Sequence, residues 1–474
     1  MNSSFLHSLL SFSVPTFVSA AISLAMILLM SHWLPAGDYA KVNLFYDYGM
    51  LVSLLCLLGT DGAYLRFFFS GESNKQARWL FSSALLTGLT VLCFCAIVVF
   101  VVYRREILAD LFSANSIFLF CLFLYTVALI VFRLTSSTAR LESDVKRYSF
   151  IQISYLLINR FLFCLPLLIF GGFESGIVFM TLAMLLLSGV ALISEPKPVI
   201  YLKECHHDIP YLKVLKYGLP GLLLGVLLNL INAIDKTFII TFCDAESAGI
   251  FSMGIVIASM FSFMSGAFST YWSVYVYSHY EQQQKMIQLM HDFVMLISVL
   301  FMVVIFVFQD LIYALIGVEY KSSQSFFLLL MLWPIQAFVS ETTAYGINLS
   351  NKTYFNFVAS LIALLINVVG CLVLVRSCGV AGVAISFGVS GVVLLILRTV
   401  FAQNFYRMVA SPLRSALSLL FLIGISLVNL FGVGTPIERF AIVLIVLCVL
   451  FLAYFKQIFL FKTYFQKVFQ RSHE

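Results

Sequence analysis

Apolar runs of roughly 20 residues follow one another along the chain from Leu9 to Phe455, separated by short turns rich in Gly, Pro, Ser and charge. A helix of that length rises about 30 Å at 1.5 Å per residue, which is the thickness of a bilayer's hydrocarbon core. The chain therefore reads as an all-α polytopic membrane protein. Composition agrees: of 474 residues, 62% are hydrophobic and 11% charged, outside the range of soluble domains. Fourteen such spans would use about 280 residues and leave no room for a soluble domain.

A window of about 19 residues places spans at 8–31, 42–65, 80–103, 115–132, 148–170, 175–194, 217–242, 249–277, 287–308, 324–347, 354–375, 380–397, 415–432 and 437–455. The first is read as a span and not a signal peptide, because the first lysine is Lys41 and the apolar stretch runs on through Pro15. The 10 cysteines sit mostly inside apolar runs with no C-x-x-C pair, and read as small membrane hydrophobes. Cys205-His206-His207 lacks the third or fourth ligand of a zinc site. Neither a metal nor a cofactor is implied.

Basic residues give the orientation, since cytoplasmic loops carry the excess of Lys and Arg. With fourteen spans, 20 of the 28 fall on the side that holds both termini, six on the other, and Arg160 and Lys236 within spans. Both termini are thus expected in the cytoplasm. Basic loops on an anionic leaflet account for the net charge of +6 without any nucleic acid.

The chain also repeats itself. Ser13-Val14-Pro15 and Gly218-Leu219-Pro220 each open a long apolar helix, and Asp38-Tyr39-Ala40 and Glu246-Ser247-Ala248 follow them at similar distances, an offset of 205 to 208 residues. Six spans per copy make a parallel repeat. The organisation expected is a six-helix bundle over 1–205, a second over 206–410, and two further helices with a basic tail over 411–474.

Leu34-Pro-Ala-Gly-Asp-Tyr-Ala, then Leu58-Gly-Thr-Asp-Gly-Ala-Tyr-Leu-Arg-Phe-Phe, resembles the opening of the Wzx-type polysaccharide repeat-unit flippases. Asn232-Ala-Ile-Asp-Lys-Thr-Phe-Ile-Ile is similar to that family's Asp-Arg/Lys-aromatic stretch, and Gly346-Ile-Asn-Leu-Ser-Asn-Lys352-Thr to the end of its tenth span. Ala40 stands where the family commonly has Gly. The resemblance covers the whole chain and implies the multidrug/oligosaccharidyl-lipid/polysaccharide exporter fold, two six-helix bundles forming a V around a central cavity.

Ionisable side chains within spans cost roughly 2.5 to 3.5 kcal/mol each on insertion scales and mark pairs, cavities or pathways. Arg160 sits near the middle of its span, too deep to snorkel comfortably. It reads either as a guanidinium that forks onto phosphate oxygens or as the internal partner of Asp47 or Asp61. Lys236 reads as a second cavity cation while Asp235 pairs with a neighbouring helix, or both are architectural. Arg66 and Arg133, at cytoplasmic span ends, follow the positive-inside bias or capture an anionic head group. Asp61 and Glu341 are candidates for proton or sodium coupling, the plainer reading being pairs with Arg66 or with Asn, Ser and Thr neighbours. Tyr271, Trp272, Tyr275 and Tyr277 read as an interfacial belt, with sugar stacking as the alternative.

Three functions fit a chain of this kind. The first is a flippase for an undecaprenyl-pyrophosphate-linked oligosaccharide, an O-antigen or related repeat unit, in the bacterial inner membrane beside polysaccharide polymerase machinery. A cation antiporter on the same fold would want an anionic cavity, for which Asp47, Asp61, Asp235 and Glu341 beside Arg160 and Lys236 leave room. A polymerase-type membrane enzyme is disfavoured by short outer connections without paired carboxylates or a His cluster.

Overall fold

The computed structural model describes residues 30–68, 74–103, 116–142, 144–194, 210–350, 352, 354–432 and 436–471, and among these it contains helices and turns but no strand. Most of the first expected span and the Cys205-His206-His207 segment lie outside them. In chain order the helices are α1 (Ala36–Leu57), α2 (Thr60–Phe67), α3 (Asn74–Tyr103), α4 (Ser116–Leu141), α5 (Val145–Leu157), α6 (Cys164–Phe170), α7 (Phe173–Ile193) and α8 (Tyr211–Phe242). There follow α9 (Ala245–Ala258), α10 (Ser262–His279), α11 (Gln284–Ala314), α12 (Phe327–Thr343), α13 (Tyr345–Leu349), α14 (Tyr354–Gln403), α15 (Pro412–Leu430) and α16 (Pro436–Arg471).

Among the described residues eleven stretches are long and apolar enough to cross a membrane, and the chain is a multi-pass membrane protein. One of them, α14, is 50 residues long, about 75 Å at 1.5 Å per residue, more than twice what one crossing needs. Its backbone breaks at Gly379, with φ 57° and ψ −136°. Only glycine adopts that conformation readily, so α14 serves as the two spans expected over 354–375 and 380–397. Other expected spans are interrupted too. The one over 249–277 is α9 and α10 joined by a 3₁₀ turn at Ser259–Phe261. The one over 42–65 stops at Leu57, passes through Leu58 (φ 47°) and Gly59 (φ 74°), and resumes as α2. Leu58 is the sole non-glycine residue with positive φ among those described, a conformation costing roughly 1–2 kcal/mol for an L-residue.

The chain divides into two compact units, residues 1–237 and 238–474. In the first, α4 and α7 pack along each other and α1 lies against α3 and α4. Its core gathers Leu57, Tyr64, Phe81, Leu134 and Val214. In the second, α12 is the central helix, packed against α9, α10, α11, α14 and α15. The best apolar window of its span is 78% buried, against 22% for that of α16. The outward apolar side chains of α16, among them Phe440, Leu444 and Leu452, are the lipid-facing stripe of a peripheral span.

Candidate functional site

The chain of α5 and α6 carries a π-helical turn, Ile158–Leu162, at its middle. The cause lies four residues on: Pro166 has no N–H to give the Leu162 carbonyl, and its ring crowds that oxygen, so the preceding turn widens. Asn159 anchors the wide turn. Its amide donates to the Tyr155 carbonyl at 2.8 Å, and its carbonyl accepts from the Tyr125 hydroxyl of α4 at 2.5 Å. Arg160 is the next residue, projected from a bulge of a kind that recurs at functional sites.

Three consecutive residues of α1 meet Arg160, Lys236 and the neighbouring Thr237. The Arg160 guanidinium carbon lies 6.0 Å from the ring centroid of Tyr46, at the limit of a cation–π contact. The Tyr46 hydroxyl bonds that of Tyr155 at 2.8 Å, and Tyr155 in turn stacks on Phe132 at 4.2 Å. Asp47 Oδ2 is 2.5 Å from Lys236 Nζ, with side chains 15% and 7% exposed. The Tyr48 hydroxyl bonds Thr237 Oγ1 at 2.9 Å. Successive helix positions are about 100° apart, so Tyr46, Asp47 and Tyr48 fan over about 200° of α1 and between them reach the bulge and α8.

The alternatives for Arg160 are thereby narrowed. Asp47 is taken by Lys236, and Asp61 accepts from Arg133 at 2.7 Å, so among the described residues neither carboxylate forms an ion pair with Arg160. The expected partner of Asp61, Arg66, is exposed one turn further along α2, and the cation that bonds Asp61 comes instead from α4. Lys236 is a paired cation, not a lone one. Asp235 is fully buried. Arg133 keeps its Nε buried without a hydrogen-bond partner.

In residues 238–474 the polar groups lie elsewhere. Glu341 accepts from the Tyr345 hydroxyl at 3.3 Å, and Arg398 donates to Ser360 at 3.4 Å. A further cluster escaped sequence reasoning. His291 is buried, with Nδ1 at 2.8 Å from Thr342 and Nε2 at 2.9 Å from Ser415. Its neighbour Asp292 accepts from Arg414 at 2.7 Å, and Tyr454 bonds Ser418 at 2.8 Å. The signal was an adjacent His and Asp inside the apolar run that starts near Met286, overlooked because they stand close to its polar end. Among the aromatic residues expected to form a belt, Trp272 is 1% exposed and packs between Phe268 and Tyr275, so it belongs to the core; Tyr277 is exposed.

No family model matches the chain, and no curated protein does. Solved structures do. The lipid II flippase MurJ in an inward closed conformation is 14% identical, with a TM-score of 0.65 over 94% of this chain and 99% of its own. An inward-facing MATE multidrug-resistance transporter of the MOP superfamily is 14% identical, with a TM-score of 0.60 over 84% of this chain and 97% of that one. A Vibrio cholerae MATE transporter, VcmN, is 16% identical, with a TM-score of 0.55 over 85% and 97%. At such identities the likeness is one of fold, and the chain has the fold of the MOP-superfamily transporters.

Proposed function

We propose that the chain is a flippase that carries an undecaprenyl-pyrophosphate-linked oligosaccharide, a surface polysaccharide repeat unit, from the cytoplasmic to the outer leaflet by alternating access. The observation that carries this reading is the convergence of Arg160 and Lys236 on Tyr46-Asp47-Tyr48. A pyrophosphate must be held against a medium that cannot solvate it, and a planar guanidinium supplies the forked donors for its oxygens. Lys236 is a second cation, held by Asp47 until an anion competes for it. Tyr46 and Tyr155 offer hydroxyls and ring faces suited to a sugar-phosphate. The fold shared with a lipid II flippase supports the class of cargo.

The cation-antiporter reading asks for free carboxylates. Asp47 and Asp61 are both engaged by basic partners, which favours an anionic cargo. In this proposal both termini lie in the cytoplasm of a bacterial inner membrane, Arg66 and Arg133 receive the head group at the basic ends of their helices, and Glu341 and Asp61 are the groups to examine for proton or sodium coupling. Polysaccharide polymerase machinery would take the product at the outer leaflet. The test is a deletion strain, in which lipid-linked oligosaccharide is extracted and its leaflet read with a membrane-impermeant glycosidase. Accumulation on the cytoplasmic face with loss of surface polysaccharide supports flipping; single repeat units on the outer face would assign polymerisation instead.

A further inference from the structure

The two ends of α8 meet the first transmembrane segment described here, α1 with its continuation α2, in unlike ways. At the start of α8 the contact is backbone on backbone. A Cβ added to Gly59 would stand 2.2 Å from the Gly218 carbonyl oxygen, and one added to Gly218 would stand 2.3 Å from that of Gly59. No rotation of a side chain relieves such an overlap, so only glycine fits at either position. The first turns of α8 are also held by side chains: the Tyr211 hydroxyl bonds Thr87 at 2.5 Å, Val214 is buried in the core beside Leu57 and Tyr64, and Tyr217 meets the Phe67 ring at 5.3 Å.

The turn just beyond Gly218 is open, with Leu219, Pro220 and Gly221 exposed. Pro220 stands inside α8, where it lacks an N–H for the helix ladder and loosens the turn before it. An added Cβ at Gly221 would meet nothing within 4 Å among the described residues, and one at Gly225 would meet only Leu54, at 3.8 Å. A permanent helix seam in a membrane carries small residues in close contact at every turn, and among the glycines of α8 only Gly218 makes such a contact. A polar hold lies near the other end, just past the buried Ile231 and Ala233, where Lys236 bonds Asp47 and Thr237 bonds Tyr48.

We propose that α8 is a lever whose pivot is Gly218 seated on Gly59, and whose latch is the Lys236–Asp47 and Thr237–Tyr48 pair, released when a phosphate-bearing lipid competes for Lys236. The proposal rests on the reading that Lys236 meets the phosphates of the cargo, and adds to it how binding moves the chain. The docked first turns stay in place, the Pro220 turn bends, and the remainder of α8 swings away from α1. Release is an exchange of one carboxylate for a phosphate oxygen at a single ammonium, so the charge at Lys236 stays compensated throughout.

The test places cysteines at Leu54 and Gly225, outside the polar site, in a cysteine-free full-length protein in proteoliposomes, and joins them with a short bifunctional thiol reagent. Cross-linking is expected to arrest transport at least tenfold and reductant to restore it. Undecaprenyl pyrophosphate is expected to slow the cross-linking about tenfold and undecaprenol to leave it unchanged; slowing by inorganic pyrophosphate alone would assign release to the anion without its lipid. Transport at full rate in the cross-linked protein, or cross-linking indifferent to every pyrophosphate, would overturn the lever. Should the uncross-linked pair carry no lipid-linked glycan, the flippase reading fails separately, and the cross-linking response to pyrophosphate still decides the latch. As a second variant, Gly218→Ala is expected to lose transport at least tenfold while Gly221→Ala keeps it; equal transport by the two would contradict the pivot.

Discussion

Residues 1–237 and 238–474 place their intramembrane charges at different depths along their helices. Asp47 is residue 12 of the 22 in α1, and Arg160 lies midway along the 26 residues of Val145–Phe170. In the second unit Arg414 is the third residue of α15, Glu341 the fifteenth of 17 in α12, and Asp292 the ninth of 31 in α11. Charges near helix ends can draw on the interface for hydration, whereas those at mid-span cannot. The second unit therefore uses its buried Asp292–Arg414 pair to fasten helices: with the His291–Ser415 bond, it ties α11 to α15. The first unit keeps a guanidinium at mid-span with an aromatic neighbour and, among the described residues, no ion-paired carboxylate, an arrangement suited to a passing anion. The residue 207 positions beyond Arg160, within the offset range of the sequence motifs, is Asn367, a buried amide without hydrogen-bond partners. The second unit has polarity at that place but no charge.

The strongest way to break this comparison is Arg160→Gln. Hydrogen bonds to a charged group are worth roughly 1.5–3 kcal/mol, which corresponds to about 10- to 150-fold in rate. Lipid-linked glycan transport should fall by that factor at equal protein level, with the melting temperature unchanged. Next come the two buried ion pairs. Removing one partner strands a buried charge at a cost of roughly 3–5 kcal/mol, whereas replacing both with apolar groups is often close to neutral. Lys236→Met and Arg414→Met should each lower the melting temperature of the purified protein. The doubles should then part company: Asp292→Leu with Arg414→Met regains both stability and transport, while Asp47→Leu with Lys236→Met regains stability alone. Equal behaviour of the two doubles would erase the distinction between the units.

The smallest effect is expected at Asp61 and Arg133, whose side chains are 18% and 25% exposed. A partly hydrated pair contributes about 1 kcal/mol or less. Exchanging the two, Asp61→Arg with Arg133→Asp, should keep most of the stability, and transport measured in the same preparation tells whether the sign of charge at each place matters for head-group capture.

Much of the helix order was legible because period and length of apolar runs suffice to locate spans, and Gly379 stands between two of them where the chain must turn. The interruptions were not. The Leu58–Gly59 break in a run expected to be continuous depends on the close approach of Gly218, 159 positions away in the chain, and no local pattern reports such a contact. The π-helical turn at Ile158–Leu162 had a local cause in Pro166, but a proline within an apolar span usually signals a kink, and the register of Arg160 on a widened turn does not follow from it. Arg160, Lys236 and Asp47 could be named from the cost of charge in lipid. Which cation takes which carboxylate could not, since partners such as Asp47 and Lys236 are 189 residues apart. Tyr46 and Tyr48 were hidden by abundance: with 16% aromatic residues, two more on an apolar helix carry no signal until the structure shows what they touch.

The most direct measurement of the central claim is reconstitution of the purified protein in liposomes carrying a fluorescent undecaprenyl-pyrophosphate-linked oligosaccharide in one leaflet, with a membrane-impermeant quencher reporting its arrival in the other. Wild-type protein is expected to move the probe and Arg160→Gln to leave it near the rate of empty liposomes. Movement of the probe by Arg160→Gln at the wild-type rate would contradict the assignment of the mid-span guanidinium to the cargo.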